Sequence, residues 1–203
     1  MIIHLIRHGQ TDWNKNALYQ GTKDIPMNQI GVEESRMIAD RLKHFRIDTL
    51  YSSPLKRAVD TVQSINAHHK LDIVVRDNLR EIELGEWEGL NREQVKAAYP
   101  KALGTFTKDT VDTRPPGGES FKDLSLRVQE TLRDIVLSHG EDDEIVIVTH
   151  GGVIKNIIAD ILRMSLPDRR LLMIDNASLS TLIYNHEADA YFLRRYNDTA
   201  HLE

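Results

Sequence analysis

Short apolar runs alternate along this chain with stretches of helical spacing. Ile2 to Ile6 read as a buried strand, Thr49 to Ser52 as a second, Asp72 to Arg76 as a third and Glu144 to Thr149 as a fourth. After Asn28, the segment Gly31 to Phe45 sets Val32, Met37, Ile38, Leu42 and Phe45 near helical spacing. Ser53-Pro54 reads as a helix start, a capping serine with proline at the first helical position, and the helix it opens carries Arg57 in or just beyond its first turn. Farther on, Ser120 and Asp123 resemble a capping pair, ahead of a stripe of Leu124, Val128, Leu132 and Ile135. His150-Gly151-Gly152 turns the fourth strand into another helix, Val153 to Arg163. Ala177 to Tyr184 and Ala190 to Tyr196 look like two closing strands. Residues 99–118, with Pro100, Pro115 and Pro116, read as a surface excursion.

Strands that alternate with helices imply a layered α/β fold around a mainly parallel sheet. No internal repeat interrupts the pattern, and 203 residues suit a single domain spanning 1–203. Composition narrows the function. A formal net charge of −5 argues against nucleic acid as a partner, because counterion release needs clustered cations. The chain has no cysteine, which removes disulfides, thiolate metal sites and a thiol nucleophile. The opening MIIHLIRHG lacks a basic stretch and a cleavage pattern, and no run approaches the roughly 18 apolar residues of a membrane span. The expectation is a cytoplasmic enzyme with no membrane partner; the pattern carries no signal for oligomeric state.

Four polar groups fall just past predicted strand ends: Arg7-His8, Arg57, Glu81 and His150. Ligands of open α/β sheets bind outside the carboxyl ends of the strands, so these groups are expected to share one crevice. Arginine forks match phosphate oxygens, and the helix starts at Pro54 and Gly151 aim backbone N–H groups at an anion. A neutral imidazole attacks phosphorus in line, and nearby arginines favour the neutral form. Glu81 then serves as acid and base. Singly, each residue has a plainer reading: the other histidines as structural groups, Arg57 as a surface residue, Glu81 as an ion-pair partner, Trp13 and Trp87 as packing. Their common placement outweighs it. No H-E-x-x-H, Cys/His cluster or P-loop is present, so neither a metal nor a nucleotide cofactor is expected.

Six blocks carry a resemblance: LIRHGQTDWN at 5–14, YQGTKDIPMNQIG at 19–31, YSSPLKRAVDTV at 51–62, LREIELGEWEG at 79–89, PPGGES at 115–120 and VTHGGVIK at 148–155. In this order they resemble the histidine phosphatase superfamily, the phosphoglycerate-mutase-like proteins. The resemblance implies a three-layer α/β/α sandwich with a mainly parallel central sheet and phosphoryl transfer without a metal. By position it implies His8 as phosphorylated nucleophile, Arg7 and Arg57 as phosphate clamps, and His150 as the second pocket histidine. Asn14, Gln20 and Gly21 are placed along the substrate pocket, with the Gly151 N–H as a further donor. Counting four residues back from Gly85 selects Glu81, not Glu83, as the proton donor.

The superfamily divides by where the phosphoryl group goes. A short gap from Gly89 to Glu119, His150-Gly151-Gly152-Val153 in place of the mutase H-G-N-S, and Asp175-Asn176-Ala177-Ser178 all resemble the phosphatase branch. The expected activity is hydrolysis of a small phosphorylated metabolite. The alternatives are a cofactor-dependent phosphoglycerate mutase and a non-catalytic phospholigand-binding module. Segments 91–116 and 164–178, with Lys96, Lys101, Phe106, Lys108, Arg114, Arg169 and Met173, are expected to roof the pocket and select the substrate.

Overall fold

The computed structural model describes residues 1–108 and 111–203, and the side chains of all of these except 107, 108, 166 and 167. Its strands are β1 (Ile2–Arg7), β2 (Thr49–Ser52), β3 (Ile73–Val75), β4 (Glu144–Thr149), β5 (Leu179–Asn185) and β6 (Ala190–Asp198). They form one sheet in the order β3-β2-β4-β1-β5-β6. Pairings from β3 through β1 are parallel; β5 runs antiparallel to both its neighbours.

Strand periodicity sorts the side chains into two cores. Ile3, Leu5, Tyr51, Ile145 and Ile147 face one side; Ile6, Leu50, Val146 and Val148 face the other. The first core is covered by α6 (Phe121–Leu137) and α7 (Gly151–Ile161), the second by α2 (Gln29–Leu42) and α3 (Lys56–His69), giving three layers. β4, between β1 and β2, is buried on both faces, as the continuous apolar EIVIVT requires. Among the described residues the shorter α-helices are α1 (Asp12–Lys15), α4 (Arg92–Ala98) and α5 (Pro100–Lys108). No helix among the described residues is long and apolar enough to cross a membrane.

Helix ends follow their capping chemistry. Asn28 accepts the Gly31 N–H at 2.9 Å and starts α2, and Ser120 with Asp123 closes a capping box on α6, whose predicted stripe is buried throughout. Three expectations need correction. Helix α3 begins at Lys56, not at Pro54, because Leu55 is still extended, with φ −70° and ψ 135°. Of the residues set near helical spacing in α2, Val32 is exposed, while Ile38 and Leu42 are buried together with Ser35 and Ala39. The supposed excursion contains α5, whose Phe106 packs edge-on against Trp87, with ring centroids 5.0 Å apart, and meets Phe121 at 4.5 Å. Pro100 occupies the first position of that helix, where proline costs no hydrogen bond.

Candidate active site

Parallel register brings the key residues together. Arg7, the last residue of β1, pairs with Thr149, the last of β4, so His8 and His150 leave adjacent strands side by side. Their ring centroids are 5.1 Å apart. Both are buried. His8 Nδ1 lies 2.8 Å from the Gly9 carbonyl oxygen, which only accepts, so the proton belongs on Nδ1 and the lone pair on Nε2. Burial, then Arg57 and Arg7, holds the His8 imidazolium well below its ordinary range; the same three influences, with His8, act on His150.

Arg57 sits in the first turn of α3 and is fully buried. Its Nη1 donates to the Lys23 carbonyl at 2.7 Å, its Nη2 to the Gly21 carbonyl at 2.9 Å and its Nε to His8 Nε2 at 3.2 Å. The guanidinium is therefore oriented by neutral acceptors. Burial draws its pKa down to about 10, which leaves it charged at neutral pH. Arg7 donates from Nη1 to the Ile174 carbonyl at 2.6 Å. Its Nε is buried without a hydrogen-bond partner, and so is Nδ1 of His150. An unpartnered buried polar atom carries a desolvation cost, which a bound ligand bringing a matching group would relieve at both of these.

Glu81 stands on the loop after β3, reached through a 3-10 turn at Asp77–Leu79. Its Oε2 accepts the Gly152 N–H at 3.0 Å, in the first turn of α7, and its Oε1 accepts the Ile82 N–H at 2.9 Å. A Cβ on Gly152 would lie 2.3 Å from Glu81 Oε1, so only glycine lets the carboxylate lie this close. Glu83, two residues on, is exposed. The loop is held from below: Arg127 donates to the carbonyls of Asn78, Arg80 and Glu81, and Thr149 Oγ1 to that of Leu79.

The remaining expected residues take different places. Gly151 abuts Arg7, its virtual Cβ 3.4 Å from Nε. Gly21 serves through its carbonyl, as an anchor of Arg57. Gln20 is buried and accepts from Thr11 Oγ1; Asn14 Oδ1 accepts from the Thr11 N–H at 3.1 Å and from Asn176 Nδ2 at 3.3 Å. Of the roof residues, Phe106 packs inward, Arg114 pairs with Asp123, and Lys96, Lys101 and Met173 are exposed. Arg169 lies over the Phe121 ring. The Lys108 side chain is outside the described residues.

Sequence reasoning missed Ser53, whose hydroxyl lies 2.7 Å from His150 Nε2 and accepts the Leu55 N–H at 3.3 Å. A serine before proline is indistinguishable from a cap until β2 and β4 are paired. It also missed Asn176 as a site residue, although its Nδ2 donates to the His8 carbonyl at 2.9 Å. Among the described residues no three of His, Cys, Asp and Glu converge in a metal-holding group.

A family model described as histidine phosphatase superfamily (branch 1) matches residues 3–199. The chain is 34% identical to phosphoglycerate mutase-like protein 4 of Arabidopsis thaliana, over 99% of this chain and 86% of that one. It is 32% identical to the metal-independent phosphoserine phosphatase of the same plant, over 98% and 82%. The solved phosphoserine phosphatase from Entamoeba histolytica, in complex with 3-phosphoglyceric acid, superposes with a TM-score of 0.86 at 29% identity, covering 100% of this chain and 99% of that one.

Proposed function

The chain belongs to the histidine phosphatase superfamily, and from that premise we propose a metal-independent phosphatase that hydrolyses small phosphomonoesters through a phosphohistidine on His8. The observation that carries this reading is the pair of buried, unpartnered donors, Arg7 Nε and His150 Nδ1, beside a neutral His8. A phosphoryl group in the cleft gives each an acceptor. Ser53, accepting from Leu55 N–H and donating to His150 Nε2, keeps the His150 proton on Nδ1, facing the phosphate.

In the first step His8 Nε2 forms the bond to phosphorus as the phosphorus–oxygen bond to the leaving alcohol breaks, and Glu81 gives that oxygen its proton. In the second, Glu81 takes a proton from water, whose oxygen attacks the phosphohistidine and frees inorganic phosphate and His8. Arg7, Arg57, His150 and the Gly151 N–H hold the phosphoryl oxygens, while Asn14, Gln20 and Gly21 shape the pocket wall behind them. Monoester hydrolysis demands accelerations of up to about 10²¹-fold. A positioned acid supplies only about 10²–10⁴ of this, so most of the task falls to alignment and to preorganised positive charge. We place the activity in a single domain, residues 1–203, working in the cytoplasm.

The test is hydrolysis of p-nitrophenyl phosphate in excess EDTA. The expected result is steady turnover that disappears in His8→Ala, with protein quenched in alkaline denaturant carrying base-stable, acid-labile phosphate on His8. No turnover, or a label on another residue, overturns the reading. With 3-phosphoglycerate, free phosphate is expected; isomerised product without phosphate release marks a mutase instead.

A further inference from the structure

The β5–β6 hairpin turns at the end of the sheet away from the active site. Leu179, at the start of β5, pairs with Ile6 beside the site, whereas Ile183 pairs with Ile2. Helix α7 runs away from the site after Gly152, and α6 ends a few residues before Glu144, the β4 residue that pairs with Ile2. Between these two helices and the hairpin lies a cavity of about 490 Å³. That is within the range of about 300–1,000 Å³ typical of small-molecule sites. None of the residues assigned above to phosphate chemistry lines it.

Its floor is aliphatic, with Val128 and Leu132 from α6 and Ile157 from α7, all buried. One wall is aromatic. The Tyr184 ring lies 4.8 Å, centroid to centroid, from both His186 and Tyr191. Asn156 breaks the apolar lining. It is 1% exposed, and its Oδ1 is buried with no hydrogen-bond partner, as is Nε2 of His186 in the aromatic wall. A buried amide oxygen in that position carries a desolvation cost, which a bound donor relieves.

Asp160 follows Asn156 by four residues, so it shares the same face of α7 one turn on, with about 5–6 Å between Cβ atoms. It is exposed where Asn156 is enclosed, which sets it at the mouth. Gln129 gives it a hydrogen bond, and no cation pairs with it among the described residues. Arg133 is the one arginine or lysine among the described lining residues, against two carboxylates, Asp160 and Asp189. Burial, then Tyr184, Asp189 and Asp160, pushes the Tyr191 phenol up to about 12, so further negative charge is disfavoured on this wall. We propose that the cavity is a second ligand site, which takes a flat aromatic amine: its ring between the aliphatic floor and the tyrosines, an N–H donor on Asn156 Oδ1 at the closed end, and its ammonium at Asp160 in the mouth. The site is independent of the phosphatase reading, since no residue is shared.

Calorimetry and methyl NMR on the unaltered protein test this with three matched probes. These are tryptamine, its benzothiophene analogue, in which sulfur replaces the N–H, and tryptophol, in which a hydroxyl replaces the ammonium. Tryptamine is expected to bind saturably, with shifts centred on the methyls of Leu132, Val136 and Ile157. The sulfur analogue should bind about two- to tenfold more weakly, the size of one neutral hydrogen bond. Tryptophol should lose about two- to fivefold, as for an exposed ion pair. Asn156→Leu erases the first preference and keeps the second; Asp160→Asn does the reverse. Melting curves accompany the Asn156 variant because that residue is buried, and the ranking of probes in the parent needs no variant. Equal binding of the three, no saturable binding, or shifts centred on the strand end at Ile6 overturns the inference, as does a dimer in which a second copy covers these methyls.

Discussion

Arg127 and Glu119 form a two-pronged ion pair, Nε to Oε1 at 2.7 Å and Nη2 to Oε2 at 2.9 Å, with both side chains about 10% exposed. The rest of the same guanidinium holds three carbonyls of the loop that bears Glu81. Glu119 Oε2 also accepts the Glu83 N–H at 3.2 Å. Removing one partner of such a buried pair leaves the other charge uncompensated, at about 3–5 kcal/mol. Arg127→Met is therefore expected to lower the urea midpoint and, because the loop is released, to lower kcat more than it changes KM. In Arg127→Met/Glu119→Gln, stability recovers in part and the rate does not. Recovery of both contradicts the positioning role of Arg127.

Glu81 and Glu83 are separated by one residue and by their surroundings: Glu81 accepts two backbone N–H groups, while Glu83 is exposed. Glu81→Gln should reduce kcat by about 10²–10⁴, the range of a positioned acid. The loss should be greatest for alkyl phosphates and smallest for p-nitrophenyl phosphate, whose leaving group needs little protonation. Glu83→Gln, altering an exposed side chain, should change both by no more than a few-fold. Steady-state kinetics on the two substrate types read the ranking directly.

The two glycines that open α7 should respond oppositely to the same methyl group. In Gly152→Ala the Cβ must displace the Glu81 carboxylate, since 2.3 Å is below any real contact. In Gly151→Ala it meets Arg7 at 3.4 Å, an ordinary van der Waals distance. Alanine gains about 1 kcal/mol of helix propensity over glycine at an unstrained helical position. The expected outcome is Gly152→Ala folded but slowed by two orders of magnitude or more, and Gly151→Ala within a few-fold of the parent. Melting curves beside kcat distinguish displacement from unfolding.

Acidification should destabilise the fold through its buried histidines. His8 and His150 have native pKa values well below 6.5, and burial also depresses His4. Below pH 6.5 the unfolded chain takes up protons that the native chain refuses, so stability falls as pH drops and levels off above that value. Urea midpoints between pH 7.5 and 5.5 should show this slope, and His8→Ala should make it shallower. Nitrogen-detected NMR should find His8 neutral, with its proton on Nδ1, across the same interval.

Much of the site could be read from the sequence because its chemistry sits where strands end, and strands announce themselves by apolar runs. Arg7, His8 and His150 needed only the ends of β1 and β4 and the parallel sheet that pairs them. Arg57 and Glu81 were harder, each reached through a turn beyond its strand, and the family blocks supplied their roles. Ser53 was misread because local capping chemistry and a buried hydroxyl facing His150 share one sequence. The support beneath Glu81 was invisible for a related reason. Arg127 looks like any charged residue on the outer face of an amphipathic helix until the loop from Asn78 to Glu81 lies across it.

The sheet order has a consequence for how the protein is made. Ile2 of β1 pairs with Glu144 of β4 on one side and Ile183 of β5 on the other. During synthesis β1 leaves the ribosome early and then waits, without a neighbour, while most of the chain is translated. Non-local pairings of this kind slow folding and leave strand edges open to wrong partners in the interval. The pairing that sets His8 beside His150 therefore forms only after β4 has emerged, as one of the last events in the life of the nascent chain.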